Sequence, residues 1–411
     1  MINVYSLGSN GNYQLGLGHA DDMIVPQLSF KLERPPGRDT RVKKVVCGGN
    51  HTVILLDDGD AYVCGDNRVG QLLDRDAQNG LELVKTWVKW PVRCAKPVDV
   101  ACGWDFTVIV DSNSEIWSRG DGPKGELGLG VGVTRSESFQ RVEGLDTSAG
   151  LRAPPKVFSS FQNCTVVLQL AGEIKSRVYG WGNNNYCQLF EPRCKVVAEP
   201  TLIYESRDTV IDYVAMGKNF IVFVSTEGKI VDIKGKVPEG FQLEEWNGTK
   251  GTPLQVYAMW SSLHIKTFDS KIFSYGFRMF GQLFDNDAFH EQFGKNSSSN
   301  HQILSMNTGS EHGIMVTTTT SDPETQSVRY HILCWGWGEH GNCGRLHHCL
   351  DLTRADRTPP EVAETPTVND YTNVVSPLNE LISVVKKSDD QRSTAPMVFG
   401  GCANTWIVTY T

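Results

Sequence analysis

The sequence contains no apolar run that approaches the roughly 20 residues needed to cross a bilayer, which predicts a protein without a membrane-spanning helix. It also lacks a block of lysine and arginine, and its formal net charge is −8. An acidic chain of this kind is a poor candidate for direct binding to nucleic acid or to an anionic membrane. We therefore expect its partners to be neither nucleic acid nor membrane.

A compact cysteine framework is absent as well. The 11 cysteines are an odd number and are scattered from Cys47 to Cys402, which favours reduced thiols in an intracellular compartment. The N-terminal residues Met1 to Tyr5 lead directly into a strand-like pattern and do not resemble a signal peptide. These features predict a cytoplasmic protein, with the nucleus as a second expected location.

Glycine, in contrast, is abundant, with 40 of the 411 residues. Many glycines belong to a pattern in which an aromatic residue lies three positions before the glycine, and Gln-Leu or Glu-Leu begins six positions after it. The pattern recurs at intervals of roughly 60 residues. Its glycines are Gly8, Gly65, Gly120, Gly182 and Gly276, with a decayed copy at Gly338. One interval is too long for a single unit and contains a degraded copy at 229–231, which makes seven units.

A second pattern falls between these copies and also occurs seven times. It consists of a β-branched or aromatic run, a small residue, two variable residues and another apolar run. The copies lie at 45–54, 100–109, 161–167, 214–222, 259–264, 309–314 and 400–408. Such alternation of short apolar segments with glycine-rich turns is typical of antiparallel strands.

A unit of this length supplies about four strands, the size of one propeller blade. The chain begins with the second half of a unit and ends with the first half, so its N- and C-terminal strands are predicted to complete one shared blade. Closure of this kind removes both open sheet edges. The sequence therefore predicts an all-β fold, a single seven-bladed β-propeller over residues 1–411. Residues 346–396 are predicted as an irregular polar insertion within the last blade, with a short ordered piece near 378–385.

In each copy of the second pattern, two successive residues precede the final apolar run. Both should lie in a loop around the central axis, on one face of the propeller, and each of the two positions gives a column of seven residues. The first of two loop columns reads Gly49, Trp104, Gln162, Lys218, Ser261, Ser310 and Ala403. The second column reads Asn50, Asp105, Asn163, Asn219, Ser262, Glu311 and Asn404. The polar second column is also explained by turn chemistry, whereas the variable first column suits a recognition surface.

Tryptophan is the usual anchor of protein interfaces, and four tryptophans lie beside turn glycines or outside the repeat consensus: Trp104, Trp181, Trp260 and Trp337. Trp260 with His264 is the preferred pair, because Trp260 replaces the turn glycine of its copy. A core position is the alternative for each. The predicted partner-binding residues are Trp104, Asp105, Lys218, Trp260, His264, Glu311, Trp181 and Trp337.

The residue pattern predicts neither a catalytic centre nor a bound cofactor or metal. Cys343, His347, His348 and Cys349 are metal-capable and crowded, but a structural zinc site usually takes a second pair of ligands, which the sequence does not supply convincingly. We expect a protein that is not an enzyme.

The repeats resemble the regulator-of-chromosome-condensation repeat family, whose members fold as seven-bladed propellers. Several segments are similar to one fungal branch of that family, the α-tubulin-suppressor or killer-toxin-insensitivity branch. These segments are 8–11, 47–51, 101–105, 177–182, 334–344 and 398–403.

This resemblance implies a non-enzymatic regulatory scaffold that binds a small CSL-type zinc (iron) electron-carrier protein as a heterodimer. Through that partner it would support diphthamide synthesis and, with the Elongator complex, modification of tRNA wobble uridines. One alternative is a guanine-nucleotide exchange factor for a Ran-like small GTPase, as in another member of the family. Another is a scaffold associated with a ubiquitin ligase.

Overall fold

The strands of this protein are arranged as seven sheets around a central axis, as the repeats predict. The computed structural model describes residues 1–33, 39–74, 81–91, 95–247, 254–293, 301–320, 327–346, 349–351, 375–387 and 395–411. Neither helix in this part of the chain is long and apolar enough to cross a membrane.

The first three complete blades have four strands each and follow the N-terminal strands. The N-terminal strands are β1 (Ile2–Gly8) and β2 (Met23–Leu32). Blade 1 contains β3 (Val42–Cys47), β4 (His51–Leu56), β5 (Ala61–Asp66) and β6 (Leu83–Lys89). Blade 2 contains β7 (Pro97–Cys102), β8 (Phe106–Asp111), β9 (Ile116–Asp121) and β10 (Arg135–Arg141). Blade 3 contains β11 (Lys156–Ser160), β12 (Asn163–Gln169), β13 (Ser176–Asn184) and β14 (Cys194–Ser206).

The remaining blades are less regular. Blade 4 contains β15 (Ile211–Met216), β16 (Phe220–Ser225) and β17 (Ile230–Gly235), followed by α1 (Leu243–Asn247). Blade 5 contains β18 (Gln255–Ala258), β19 (Ser262–Lys266) and β20 (Ile272–Gly276), followed by α2 (Asn286–Phe293). Blade 6 contains β21 (His301–Thr308), β22 (His312–Thr320), β23 (Ser327–Trp337), β24 (Leu350–Asp351) and β25 (Val375–Lys387). Blade 7 contains β26 (Met397–Gly400), β27 (Asn404–Tyr410), β1 and β2.

Blade 7 closes the ring. Strand β27 pairs antiparallel with β1, from the pair Ile2–Tyr410 to the pair Gly8–Asn404. The first strand of each blade contacts the first strands of its two neighbours around the axis. The predicted seven-bladed propeller closed by N- and C-terminal strands is therefore confirmed.

The repeat glycine lies near the end of the third strand of each blade. At this point the chain passes very close to the loop that precedes the second strand. Gly120 has a φ of +111°, and a Cβ at this position would lie 2.3 Å from the Asp105 carbonyl oxygen. Only glycine accommodates both the left-handed backbone and this approach. The glutamine that follows closes the next turn: Gln188 Oε1 accepts the Tyr186 N–H at 3.0 Å, and the leucine after it is buried.

The sixth copy of the glycine pattern is in a different register from the one predicted. Gly336, with a φ of +110°, pairs with His312 at the end of β23, so Gly336 and not Gly338 is the repeat glycine. Asn342 and Cys343 then take the places of Gln and Leu. The sequence pattern fails here because two glycines lie two positions apart and the usual aromatic position is held by Leu333.

The segment 346–396 is partly regular. Strand β25 lies within it and pairs antiparallel with β23 from Trp337–Val375 to Ser327–Lys387. Leu381, Ile382 and Val384 are buried, which explains why this piece, expected near 378–385, pairs with the sheet. The strand belongs to blade 6 and is longer than the predicted piece, while 352–374 and 388–394 lie outside the described residues.

Candidate functional site

The loops that connect the first and second strands of the blades meet around the central axis on one face. In each loop a turn residue donates its N–H to the residue that opens the second strand, as in Gly103 to Phe106 (2.9 Å) and Met259 to Ser262 (2.9 Å). The next residue faces its neighbours around the axis. Its seven occupants are Gly49, Trp104, Phe161, Lys218, Trp260, Ser310 and Cys402.

This set corrects three members of the predicted first column. The sequence pattern placed Gln162, Ser261 and Ala403 there, one residue too far along the chain. The pattern relied on a turn glycine, but blade 5 has Met259 at that position, so Trp260 does not replace the glycine and instead aligns with Trp104. Phe161 was missed for the same reason.

Three aromatic rings from three blades pack together at this end of the channel. The ring centroids of Trp104 and Phe161 are 5.3 Å apart, those of Phe161 and Trp260 are 5.4 Å apart, and those of Trp104 and Trp260 are 5.9 Å apart. Trp104 belongs to blade 2 and Trp260 to blade 5, so the rings bridge the axis. Edge-to-face and tilted pairs of this kind are favourable.

A cation, the Lys218 ammonium, lies on these rings. The Lys218 ammonium nitrogen is 4.0 Å from the Phe161 centroid and 5.3 Å from the Trp260 centroid, which is within cation–π range. We call Trp104, Phe161, Lys218 and Trp260 the mouth cluster. Because Trp104 is 36% exposed and the other three are partly exposed, the cluster forms a surface and not part of the core.

A cavity of about 130 Å³ lies behind the mouth cluster and is lined by sulfur-bearing side chains, including Cys47, Cys102, Met216 and Cys402. Burial raises the pKa of Cys47 to about 12 and that of Cys402 to about 11. Both thiols are therefore neutral near pH 7, and a neutral thiol is a poor nucleophile and a poor metal ligand. The cavity is also smaller than a typical small-molecule site.

The two acidic residues predicted for this face lie beside the cluster in different environments. Glu311 accepts hydrogen bonds from Ser261 Oγ at 2.6 Å and Gln282 Nε2 at 3.3 Å, and burial raises its pKa. For Asp105, burial and the nearby carboxylates of Asp66 and Asp121 raise the pKa to about 6. Both acids lie at equivalent loop positions, immediately after Ser310 and Trp104.

Two predicted contact residues are buried, which corrects their assignment to a partner surface. The Trp181 side chain is fully buried and its indole N–H donates to the Glu126 carbonyl at 2.6 Å. His264 is also fully buried, and its ring nitrogens contact Ser262 Oγ at 3.0 Å and Ser274 Oγ at 2.8 Å. Burial lowers the pKa of His264 to about 3, so the ring is neutral. Each side chain packs against a neighbouring blade: Trp181 lies against Gly128, which follows β9 of blade 2, and the ring centroids of His264 and Trp335 of blade 6 are 6.2 Å apart.

Trp337 lies on the same face as the mouth cluster but outside it. Its indole stacks on Phe280, with the centroids 5.5 Å apart and the rings inclined by 23°. Phe277 is 41% exposed and Met279 is 70% exposed in the adjoining loop. This outer aromatic group was visible in the sequence only through Trp337, because Phe277 and Phe280 lie at variable positions between Gly276 and Gln282.

Comparison with known proteins agrees with this architecture. Residues 3–55 and 42–71 match models of the regulator of chromosome condensation (RCC1) repeat. An RCC1 repeat-containing protein of Schizosaccharomyces pombe is 27% identical over 356 residues, which cover 82% of this chain and 88% of that protein. The mouse protein named secretion-regulating guanine nucleotide exchange factor is 26% identical over 383 residues, covering 83% of this chain and 75% of that protein.

Among solved structures, human WBSCR16 aligns with the whole of this chain and 99% of its own, with a TM-score of 0.65. The two sequences are 13% identical, so this likeness concerns the fold alone. The seven closed blades establish a β-propeller, residues 3–71 match the RCC1 repeat, and the chain is similar to an RCC1 repeat-containing protein over most of its length.

Proposed function

We propose that this propeller is a non-enzymatic scaffold that binds a small CSL-type zinc (iron) electron-carrier protein, in a heterodimer, at the mouth cluster. In this role it supports diphthamide synthesis and Elongator-dependent modification of tRNA wobble uridines, without direct contact with nucleic acid. The choice of partner rests on the resemblance of its segments to one fungal branch. The observation that carries a protein-binding role is the mouth cluster itself.

The cluster has the composition expected of an interface centre. Trp104 and Trp260 present large, partly exposed rings on short loops, and such rings contribute strongly to binding because they bury a large area with few rotatable bonds. The loops are fixed by backbone hydrogen bonds from blade to blade, such as Trp104 N–H to Phe161 O at 2.8 Å and Lys218 N–H to Trp260 O at 2.9 Å. A preorganised surface loses little conformational freedom when a partner binds.

Gel filtration of the full chain with the reconstituted zinc protein tests this proposal. We expect one peak containing both proteins and stoichiometric zinc. Trp260→Ala should weaken the complex roughly 30-fold, as for an interface hot spot. Phe268→Ala is the matched control, since Phe268 is 77% exposed in the turn between β19 and β20, at the opposite end of its blade. Two separate peaks for the wild-type proteins would exclude the proposed partner.

A second candidate is guanine-nucleotide exchange on a Ran-like small GTPase, and it is favoured by the name of the mouse relative. Exchange requires an element that displaces the nucleotide phosphates or Mg²⁺, whereas the mouth cluster presents aromatic rings packed against one another on short loops. Release of a fluorescent nucleotide from the GTPase, timed with and without this protein, distinguishes the two candidates. A rate that rises with the concentration of the propeller would favour exchange.

A further inference from the structure

A second cavity, of about 370 Å³, lies in the central channel further from the mouth cluster than the first. Every residue that lines it belongs to the first strand of a blade, whereas the lining of the first cavity includes the loops at the mouth. Its volume falls within the range of small-molecule sites, which is about 300–1,000 Å³. We call it the channel cavity.

The channel cavity is reached from the end opposite the mouth cluster. Lys44 lies near the start of β3, which runs toward the mouth, and its side chain is 27% exposed. At the other end, the rings of the mouth cluster meet across the axis. A small molecule could therefore occupy the channel cavity while a protein covers the mouth cluster.

The walls of the channel cavity are largely apolar. Five valines, Ala101, Met216, Phe158 and Phe399 make up most of the lining. Phe158 belongs to blade 3 and Phe399 to blade 7, so aromatic rings are supplied from two separated blades. Because a water molecule in a cavity needs several polar partners, walls of this composition hold water poorly. They favour an occupant with an apolar body.

One polar side chain of the lining offers hydrogen-bond donors. Asn307 is fixed because its Oδ1 accepts the Thr308 N–H at 2.8 Å and the Gly400 N–H at 3.3 Å. No described residue accepts a hydrogen bond from the Asn307 Nδ2. The amide N–H groups of Asn307 are therefore available to an acceptor in the cavity.

Lys44 provides a second set of donors. Its ammonium nitrogen lies 2.5 Å from Asp99 Oδ1 and 5.4 Å from the centroid of the Phe158 ring. Asp99 is buried and does not line the cavity, and its other oxygen accepts the Val157 N–H at 2.9 Å. Asp99 thus holds the ammonium against the aromatic wall. Since an ammonium has three N–H groups, Lys44 retains donors for a further acceptor.

The charge balance of the channel cavity selects an uncharged ligand. The charges of Lys44 and Asp99 cancel within their pair, and no other charged side chain lines the cavity in the described part of the chain. A charged ligand would add an uncompensated charge to a largely apolar space, which is costly. A carbonyl oxygen accepts hydrogen bonds without adding a charge.

We propose that the channel cavity binds a small, uncharged, apolar molecule with a carbonyl acceptor, such as a ketone, an ester or an amide. The carbonyl oxygen accepts a hydrogen bond from the Lys44 ammonium, and the apolar body packs against Phe158. This site is separate from the mouth cluster, and neither the proposed function nor its protein partner depends on it.

Methyl NMR of the full chain with labelled methionines tests the site directly. Met216 lines the channel cavity and is assigned from the spectrum of Met216→Leu, whereas Met279 is 70% exposed and reports on surface binding. Acetophenone is the probe, with cumene and benzoate as its hydrocarbon and carboxylate counterparts of similar shape. We expect acetophenone to shift the Met216 signal and to bind roughly tenfold more tightly than either counterpart.

A pair of lysine variants tests the donor. Lys44→Met should remove the preference for acetophenone over cumene, since it removes the ammonium. Lys43→Met, the same change at the exposed neighbour, whose ammonium binds the Val98 carbonyl at 2.5 Å, should keep the preference. If Lys44→Met fails to fold, the three probes on the wild type still decide the question. Equal binding of acetophenone and cumene, tighter binding of benzoate, or shifts confined to Met279 would overturn the proposal.

Discussion

The seven loops at the channel mouth share one backbone arrangement, but the loops in the two halves of the mouth carry different side chains. Blades 2 to 5 contribute the mouth cluster, whereas blades 6, 7 and 1 contribute Ser310, Cys402 and Gly49 at the equivalent position. The backbone hydrogen bonds are alike in both halves, as in Trp104 N–H to Phe161 O (2.8 Å) and Gly49 N–H to Trp104 O (2.8 Å). The repeat therefore fixes the backbone of all seven loops, while the side chain at one position in each loop varies.

The largest expected effect is a difference in stability between a variant in the core, at Trp181, and a variant in the mouth cluster, at Trp104. Trp181→Ala should lower the free energy of unfolding by about 3–5 kcal/mol, since it empties a fully buried site. Trp104→Ala should lower it by only about 1 kcal/mol, because the indole is partly exposed. Urea denaturation of both variants measures the difference. Equal losses would mean that the mouth cluster belongs to the core.

A pair of variants, one from each half, tests the assignment of recognition to the aromatic half. Phe161→Ala should weaken binding of the zinc protein roughly 30-fold, because it removes the ring that supports Lys218 and both indoles. Cys402→Ala changes the equivalent position in the small half and should alter affinity less than about twofold. Calorimetry measures both. Similar losses in the two variants would show that the interface covers the whole mouth.

The turn after β9 makes the stability of blade 2 depend on pH through Glu126. Glu126 holds the place of Gln14, Gln71, Gln188 and Gln282. Its carboxylate accepts the Lys124 N–H at 2.5 Å. Burial raises the pKa of Glu126 to about 7, with Asp121 adding to the effect.

Glu126 keeps its proton in the folded chain but loses it in the unfolded chain between about pH 4.5 and 7. Its contribution to stability is therefore present below this window and lost as the pH rises through it. Glu126→Gln should raise the free energy of unfolding by about 2 kcal/mol above pH 7 and change it little at pH 4. Urea denaturation at both pH values measures this, and a gain independent of pH would exclude the titration of Glu126 as its cause.

The smallest expected effect is the loss of stability on removal of the Lys218 charge, which lies on the rings of Phe161 and Trp260. Lys218→Met keeps most of the volume but removes the charge, and cation–π contacts near a surface contribute about 0.5–1 kcal/mol. We expect a loss of stability in that range, with Lys229→Met in the β16–β17 turn at the opposite end of its blade as the control. Thermal unfolding checks this. A loss as large as that of Trp181→Ala would show that Lys218 is a structural residue of the core.

The fold was largely predictable because its signals are local. Turn glycines such as Gly120 need a left-handed backbone, and the glutamine or glutamate and the leucine six and seven residues later close a turn and fill the core. The registers of Phe161, Trp260 and Gly336 were wrong because each lies where a glycine or aromatic marker is replaced or displaced. Strand pairing, and not residue type, decides the alignment at those points.

The sequence by itself determined the number of blades and the shared closing blade, since repetition and turn chemistry act over a few residues. The tertiary structure alone decided that Trp104, Phe161 and Trp260, from three separate blades, meet across the axis. It also decided that Trp181 and His264 are buried. These outcomes depend on how neighbouring sheets pack, and the spacing of residues along one chain does not encode the distance between two blades.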